Sequence, residues 1–157
     1  MDQVTVRTAD LQDLERLLDF EQKIIDSERP LDDTIRTGLD VHYYDLSELI
    51  ASPDAEVVVA EVNSEIIGSG YAQIKAAESY LRHDKYSYLG FMYVVPDQRG
   101  KGVNKMIVEA LEAWSLVRGV SEVRLEVYAN NPAAIRAYEK SGYCSLLHTM
   151  RRSLTKD

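Results

Sequence analysis

Apolar and polar positions change period several times along the chain, and each change marks an element. Val4-Thr5-Val6-Arg7 alternates as a half-buried strand does. Asp10 then stands where an N-cap belongs, ahead of Leu11, Leu14, Leu17 and Leu18 at helical spacing. Periodicity lapses over 26–40 around Pro30, and the stretch carries Asp26, Glu28, Asp32, Asp33 and Asp40, which predicts an acidic loop. Asp45-Leu46-Ser47-Glu48 sets an acceptor side chain three residues before a glutamate, predicting a short second helix that Ser52-Pro53-Asp54 ends. The β-rich runs 56–62 and 65–74, joined by Asn63-Ser64, have the pattern of an antiparallel hairpin, and 75–85 is a polar connector.

Residues 86–95 form the longest aromatic and β-branched run and stop at Pro96, which cannot donate to a ladder; a central strand is predicted. Beyond the Gln98-Arg99-Gly100-Lys101-Gly102 turn, Val103, Met106, Ile107, Ala110, Leu111, Trp114 and Val117 recur at intervals of three and four. Gly119 is placed to end that helix, and the stripe reads as its core face. Val123-Arg124-Leu125-Glu126-Val127 alternates as a strand. Asn131 then caps, and Pro132 opens, a helix that runs to Ser141 and ends at Gly142. Residues 143–154 supply the last strands. The order β-α-α-β-β-β-α-β-α-β-β, without internal repeat or linker, predicts one mixed α/β (α+β) domain over 1–157.

Composition narrows the classes. A chain of 157 residues suits one domain with a real core, and 45% hydrophobic with 28% charged residues describes a folded one. The opening Met1-Asp2-Gln3-Val4 has no basic region before an apolar run, and no apolar stretch approaches bilayer length. A cytoplasmic protein without a membrane partner is expected. The single Cys144 excludes an internal disulfide framework, and His42, His83 and His148 lack metal-ligand spacing, so no metal is expected. Twenty-six acidic against eighteen basic residues, a net charge of −8, disfavour nucleic acid and suit either solubility or a cationic partner.

Candidate chemistry centres on the glycine turn. A helix N-terminus offers unpaired backbone N–H groups and partial positive charge, and glycines before it let a bulky anion approach, so residues 99–105 can hold a pyrophosphate. The turn has no Gly-Lys-Ser/Thr ending and no three-glycine dinucleotide fingerprint, which points away from nucleoside triphosphates and from NAD.

Tyr93-Val94-Val95-Pro96-Asp97-Gln98-Arg99-Gly100-Lys101-Gly102-Val103-Asn104-Lys105 resembles the strand-turn-helix pyrophosphate motif of the GNAT acetyltransferases. The block from Leu125-Glu126-Val127-Tyr128 through Asn130-Asn131-Pro132 to Ala137-Tyr138-Glu139-Lys140-Ser141-Gly142-Tyr143 resembles the strand and helix that follow in that family, in the same order and separation. The resemblance implies a GNAT-like fold, a central mixed, mostly antiparallel sheet flanked by helices. It also implies transfer of acetyl from acetyl-CoA, as cosubstrate and without metal, directly to a primary amine. Arg99 and Gly102 take the first and fourth places of the family's Arg/Gln-x-x-Gly-x-Gly/Ala signature. Asn104 departs from the sixth, adding a side chain where the family leaves room, though its amide can itself donate a hydrogen bond. By the same resemblance the coenzyme falls to the backbone of Met92, Tyr93 and Val94, paired with the pantetheine arm as an added strand would be. The pyrophosphate falls to Arg99, Gly100, Lys101, Gly102, Val103, Asn104 and Lys105. Asn131 stands near the coenzyme as well, plain helix capping being its compatible second role.

Amide formation needs a proton acceptor for the amine, donors for an oxyanion and a proton for the departing thiolate. Tyr138 matches the tyrosine that many family members set beside the sulfur; a packed aromatic next to Ile135 is the other reading. Glu126, twelve residues earlier, aligns with a proposed base of members that acetylate protein N-termini; pairing with a basic cross-strand neighbour is its alternative. Backbone N–H groups at 92–94 would polarise the thioester carbonyl. Cys144 lies beyond both motifs and is no acyl carrier. The expected activity is acetylation of a small cationic amine, drawn by the acidic 26–40 loop ahead of the helix that in this family commonly walls the acceptor site. Two alternatives stand beside it: a protein N-terminus or lysine as the peptide acceptor, and an acyl-CoA-binding module without turnover, which Asn104 favours. A homodimer is admitted.

Overall fold

Alternation at the start of the chain folds as strand β1 (Thr5–Thr8) in the computed structural model, which describes residues 2–155. Met1, Lys156 and Asp157, and with them the ends of the expected 1–157 domain, lie outside the described residues. Asp10 caps a single 3-10 turn (Leu11–Asp13) that runs into α1 (Leu14–Glu28), whose inner face buries Leu17, Phe20, Glu21, Ile24 and Ile25. The helix carries through Asp26 and Glu28, with the Arg29 N–H reaching Ile25 O at 3.0 Å, so the acidic loop begins at Arg29 and not at Asp26. Asp26 is exposed and paired with Arg29, Glu28 is half-buried, and the helix ends just before Pro30. Asp45 caps α2 (Leu46–Ala51), its Oδ1 accepting from the Glu48 N–H at 3.2 Å as the sequence pattern predicts.

Strands β2 (Ala55–Val62) and β3 (Glu65–Ala76) form the expected hairpin. Asn63 and Ser64 both take positive φ (51° and 64°), the two-residue turn whose twist matches the flanking strands. Strand β4 (Lys85–Val94) pairs antiparallel with β3, and β5 (Val123–Leu125) pairs parallel with β4 only through Ser87↔Val123, Tyr88↔Arg124 and Leu89↔Leu125. The sheet order β1-β2-β3-β4-β5 makes β3 the middle strand; β4 is interior but has a strand on its outer side for only part of its length. The expected strand over 123–127 is shorter by two residues, because pairing ends at Leu89, ahead of a bulge in β4.

At that bulge Ser69 faces Tyr93 and Tyr71 faces Gly90, leaving an extra residue in β4, and Phe91 takes φ 59°. A bulky residue in the left-handed region is held there by its surroundings. Ser69 Oγ donates to Phe91 O at 3.0 Å, and the Phe91 N–H donates to Tyr44 Oη at 3.3 Å.

Adjacent residues of a strand point to opposite faces, and β3 separates the helices accordingly. Tyr71 lies in the core with Leu17, Phe20, Ile24, Leu46 and Leu49 of α1 and α2. Gly70 faces α3 (Val103–Val117), where an added Cβ would come within 2.7 Å of Ile107 Cγ2, so the helix seats against bare backbone. The face α3 buries is Val103, Ile107, Val108, Leu111 and Ser115; Met106 and Val117, counted in the core stripe by spacing, are exposed, Val117 at 86%. The glycine seat draws the helix in along 103-107-111-115, which leaves Ala110 and Trp114 half-buried at its flank and Met106 and Val117 outside the contact.

Contacts divide the chain into two compact units, Met1–Glu126, which holds the sheet, and Val127–Asp157. The second holds α4 (Pro132–Lys140), capped by Asn131, and Gly142 at φ 95° just past its end. Residues 143–154 do not form the expected strands. Extended chain counts as strand only with a ladder partner, and no strand is described within this unit to provide one. No helix among the described residues is long and apolar enough to cross a membrane.

Candidate functional site

The end of β4 and the start of α3 build the first candidate site. Pro96–Gln98 turns the chain, and Gly100 and Gly102 take φ of 77° and 83°, left-handed values that suit glycine. Gly102 is the N-cap of α3 and no side chain caps it; the first intrahelical bond runs from Met106 N–H to Gly102 O at 3.1 Å. The N–H groups of Val103, Asn104 and Lys105 therefore have no intrahelical acceptor. An added Cβ at Gly100 or Gly102 would meet nothing within 4 Å, so the approach is open.

A cavity of about 170 Å³ sits at this turn. Of the expected residues, Val94, Arg99, Gly100, Gly102, Val103, Asn104 and Lys105 line it, Gln98 joins them, and Lys101 stands outside with its Nζ 3.4 Å from Gln98 Oε1. The first turn of α3 has no acid, so Arg99, Lys101, Lys105 and the helix end act in the same sense on an anion. Arg99 also braces the strand, its Nε donating to Val94 O at 2.7 Å and its guanidinium 5.5 Å from the Tyr93 ring centre. Met92 turns to the α3 face, close to Gly70, whereas the Tyr93 ring packs on Phe20 at 4.8 Å on the opposite face. No strand of this unit pairs with the outer side of β4 beyond Leu89 among the described residues.

A second cavity, about 310 Å³, opens between α2 and β3 on the α1 side of the sheet. Its walls are aromatic: the Tyr44 ring lies 5.8 Å from Tyr43 and 5.6 Å from Tyr71. Asp45 and Glu48 line it, with one cation, Lys75, whose Nζ sits 4.7 Å from the centre of the Tyr88 ring. The acids of the expected 26–40 stretch do not line this cavity; Asp32 Oδ1 accepts instead from the Thr34 N–H and Oγ1. Tyr88 stands beside Tyr71, ring centres 6.4 Å apart, and its hydroxyl donates to Glu126 Oε1 at 2.7 Å. Burial, and then the neighbouring Glu126, push the Tyr88 and Tyr71 hydroxyls above the ordinary phenol range; burial does the same to Tyr44. These phenols stay protonated at neutral pH, and Tyr88 is a lasting donor to Glu126.

Glu126 follows β5 directly and is exposed. Its partner is the Tyr88 hydroxyl and not a basic cross-strand neighbour; Arg124 bonds Glu122 at 2.6 Å. In the second unit, Asn131 Oδ1 accepts from the Ala134 N–H at 3.3 Å, the expected cap. Tyr138 is half-buried on α4 with its ring edge-on to Tyr143 at 5.8 Å. The first unit thus gathers the turn residues at one cavity and sets Glu126 in the tyrosine cluster, while Tyr138 and Asn131 belong to the second unit.

Sequence reasoning missed Tyr43, Tyr44, Tyr71 and Tyr88. One signal was present: ten tyrosines against two phenylalanines, an excess of aromatic residues with a polar tip that bulk alone does not require.

Comparison with known proteins follows the same lines. The profile of the "Acetyltransferase (GNAT) family" matches residues 16–143. An acetyltransferase of Pectobacterium atrosepticum is 36% identical over 86 residues, 55% of this chain and 55% of that protein. The aminoglycoside N(6')-acetyltransferase type 1 of Klebsiella aerogenes is 28% identical over 98 residues, 62% of this chain and 64% of its own. The matched region thus spans little more than half the length of these curated relatives. Among solved structures, the BH1408 protein of Bacillus halodurans superposes with a TM-score of 0.84 at 20% identity, covering 96% of this chain and 99% of that one. The aminoglycoside N-acetyltransferase AAC(6')-Iy in complex with CoA gives 0.76 at 17%, covering 99% and 97%.

Proposed function

Because the chain belongs to the GNAT acetyltransferase family, we propose that it is an N-acetyltransferase that moves acetyl from acetyl-CoA directly to a small cationic amine. The observation that carries the reading is the cavity at the uncapped start of α3, where seven of the turn and strand residues expected to meet the coenzyme lie together. Acetyl-CoA, when bound, supplies an activated acetyl thioester. The N–H groups of Val103, Asn104 and Lys105, with Arg99 and Lys101 near them, would hold its pyrophosphate. The outer edge of β4 at Met92, Tyr93 and Val94 would pair with the amides of its pantetheine arm.

Glu126 would take the proton of the acceptor amine, Tyr88 holding Oε1 and so fixing the carboxylate plane. Tyr138 would return a proton at the departing sulfur. The family match, which runs over residues 16–143 and so continues across residue 126, supports reading 1–157 as one domain. The proposal puts the enzyme in the cytoplasm and assigns it no metal.

For the acceptor, tyrosine faces with Asp45 and Glu48 beside them suit an ammonium group. The names of two similar proteins, both aminoglycoside acetyltransferases, support the same class. A second reading, an acyl-CoA-binding module without turnover, draws on Asn104, which lines the first cavity where the family keeps Gly or Ala.

The test combines melting with thiol release. Acetyl-CoA at a hundredfold excess over its Kd should stabilise the fold by about 2.7 kcal/mol. Free thiol should then appear with polyamines or aminoglycosides and not with peptide N-termini. A melting shift without thiol release on any amine would favour the binding module; no shift would remove the coenzyme site. Tyr138→Phe should keep the shift and lower turnover by about two orders of magnitude, and wild-type turnover would make Tyr138 a packing residue.

A further inference from the structure

Glu21 is a fully buried acid on α1, a place where an apolar residue would cost less. Its carboxylate is satisfied by three donors. Oε2 accepts from the N–H groups of Tyr43 and Tyr44 at 2.8 and 2.9 Å, and Oε1 lies 2.8 Å from His42 Nδ1. One side chain therefore fixes three consecutive residues of the segment that leads into α2. Tyr43 and Tyr44 are walls of the second cavity. The Tyr44 ring is wedged between Tyr71 at 5.6 Å and Phe91 at 5.3 Å, and its hydroxyl oxygen takes the N–H of Phe91. Phe91 is the left-handed residue of the β4 bulge and directly precedes Met92, where the edge assigned to the coenzyme begins.

We infer that Glu21 is a positioning residue: by clamping the main chain at residues 42–44 it fixes Tyr44, and through Tyr44 it sets both the wall of the acceptor cavity and the bulge of β4. The inference rests on the reading of the second cavity as the acceptor site. Apolar packing alone does not call for it, whereas two adjacent backbone donors turned inward need an acceptor, which the Glu21 side chain supplies. The Tyr44 hydroxyl joins the path to β4 by a hydrogen bond, so removing it cuts that link without emptying the core.

A double-mutant cycle with Glu21→Gln and Tyr44→Phe tests it. Glu21→Gln presents an amide where three donors converge. It should raise the acceptor KM about tenfold or more and, through the bulge that precedes Met92, weaken acetyl-CoA less, by about threefold, an order of effects that general loss of structure does not impose. If Glu21 acts through Tyr44, the losses in kcat/KM do not multiply, and the double variant stays within about threefold of Glu21→Gln alone. Losses that multiply in full overturn the proposal. Should Glu21→Gln fail to fold, Tyr44→Phe by itself must still lower kcat/KM, and unchanged kinetics overturn it. Hydrogen exchange at the Phe91 amide gives a reading that needs no acceptor: both variants should speed it by about tenfold while amides of β2 stay protected. Unchanged Phe91 protection overturns the clamp even where turnover is measured. Accelerated exchange in a protein that acetylates no amine upholds the clamp and removes the acceptor reading instead.

Discussion

The turn at 99–105 and the tyrosine-walled cavity beneath α2 are both concave, yet they are made from different material. The turn is backbone: two left-handed glycines and the uncapped amides of α3, with side chains only reinforcing the charge. The cavity is side chain: rings and acids from the segment before α2, from α2 itself and from β3, with Tyr88 and Glu126 beside it on β4 and just past β5. A backbone site tolerates most side-chain changes and fails when the chain cannot take its φ. A side-chain site fails when one ring moves.

The sharpest way to break this contrast is at the chemistry. Glu126→Gln keeps shape but cannot accept a proton, so turnover should fall by about two orders of magnitude and the acidic limb of the pH-rate profile should vanish, with acetyl-CoA binding intact. Retention of that limb would put the base elsewhere.

Two glycine substitutions then separate the sites. Gly90 lies under the Tyr71 ring, where an added Cβ would fall 2.1 Å from Cε1. Gly90→Ala should displace that ring, cost about 1–3 kcal/mol of stability as overpacking does, and raise the acceptor KM while sparing the coenzyme Kd. Gly102→Ala meets open space but strains a φ of 83°, for about 1–2 kcal/mol, and should weaken the coenzyme instead. Titration of both ligands on both variants checks this; crossed effects would merge the two sites into one.

A smaller effect is a pH dependence at Glu28, the last residue of α1, which lines neither cavity. Burial raises the Glu28 carboxyl above its ordinary range, with the Tyr43 side chain working against it. A carboxyl raised in the fold contributes stability that is complete below its unfolded value, about 4.3, and is lost as pH rises through the folded value. Glu28→Gln mimics the protonated form, so the fall in denaturation midpoint above pH 4 should flatten in that variant and persist in Gly102→Ala. An unaltered slope in Glu28→Gln would assign the dependence to other groups.

The smallest expected change is at Asn104. If its amide donates to the pyrophosphate, Asn104→Ala should weaken acetyl-CoA by about fivefold, the worth of one hydrogen bond of roughly 1 kcal/mol. Tighter binding would mean that the side chain crowds the anion, and the non-catalytic reading would gain.

Legibility in the sequence tracked how local each feature is. The hairpin turn at Asn63-Ser64, the caps at Asp10, Asp45 and Asn131, and the helix from Val103 all folded where the pattern put them, because each depends on residues within one turn of one another. Spacing alone misassigned Met106 and Val117, since which of two adjacent apolar rows a helix buries depends on the surface it meets, here Gly68 and Gly70 of β3. Residues 143–154 have strand composition and no strand, because a ladder needs a partner that composition does not name. The length of β5 was set by the bulge in β4, which has no local signature.

By itself, the sequence determined the glycine turn at 99–105, its family resemblance and the order of the elements that frame it, since a backbone site is contiguous and its glycines can be read in place. Only the tertiary structure decided that Tyr44 from the loop before α2, Tyr71 from β3, Tyr88 from β4 and Glu126 after β5 share one face, and that Glu21 holds it. Those residues are scattered over more than a hundred positions, and what joins them is strand register and ring packing, both of which exist only once the sheet has formed.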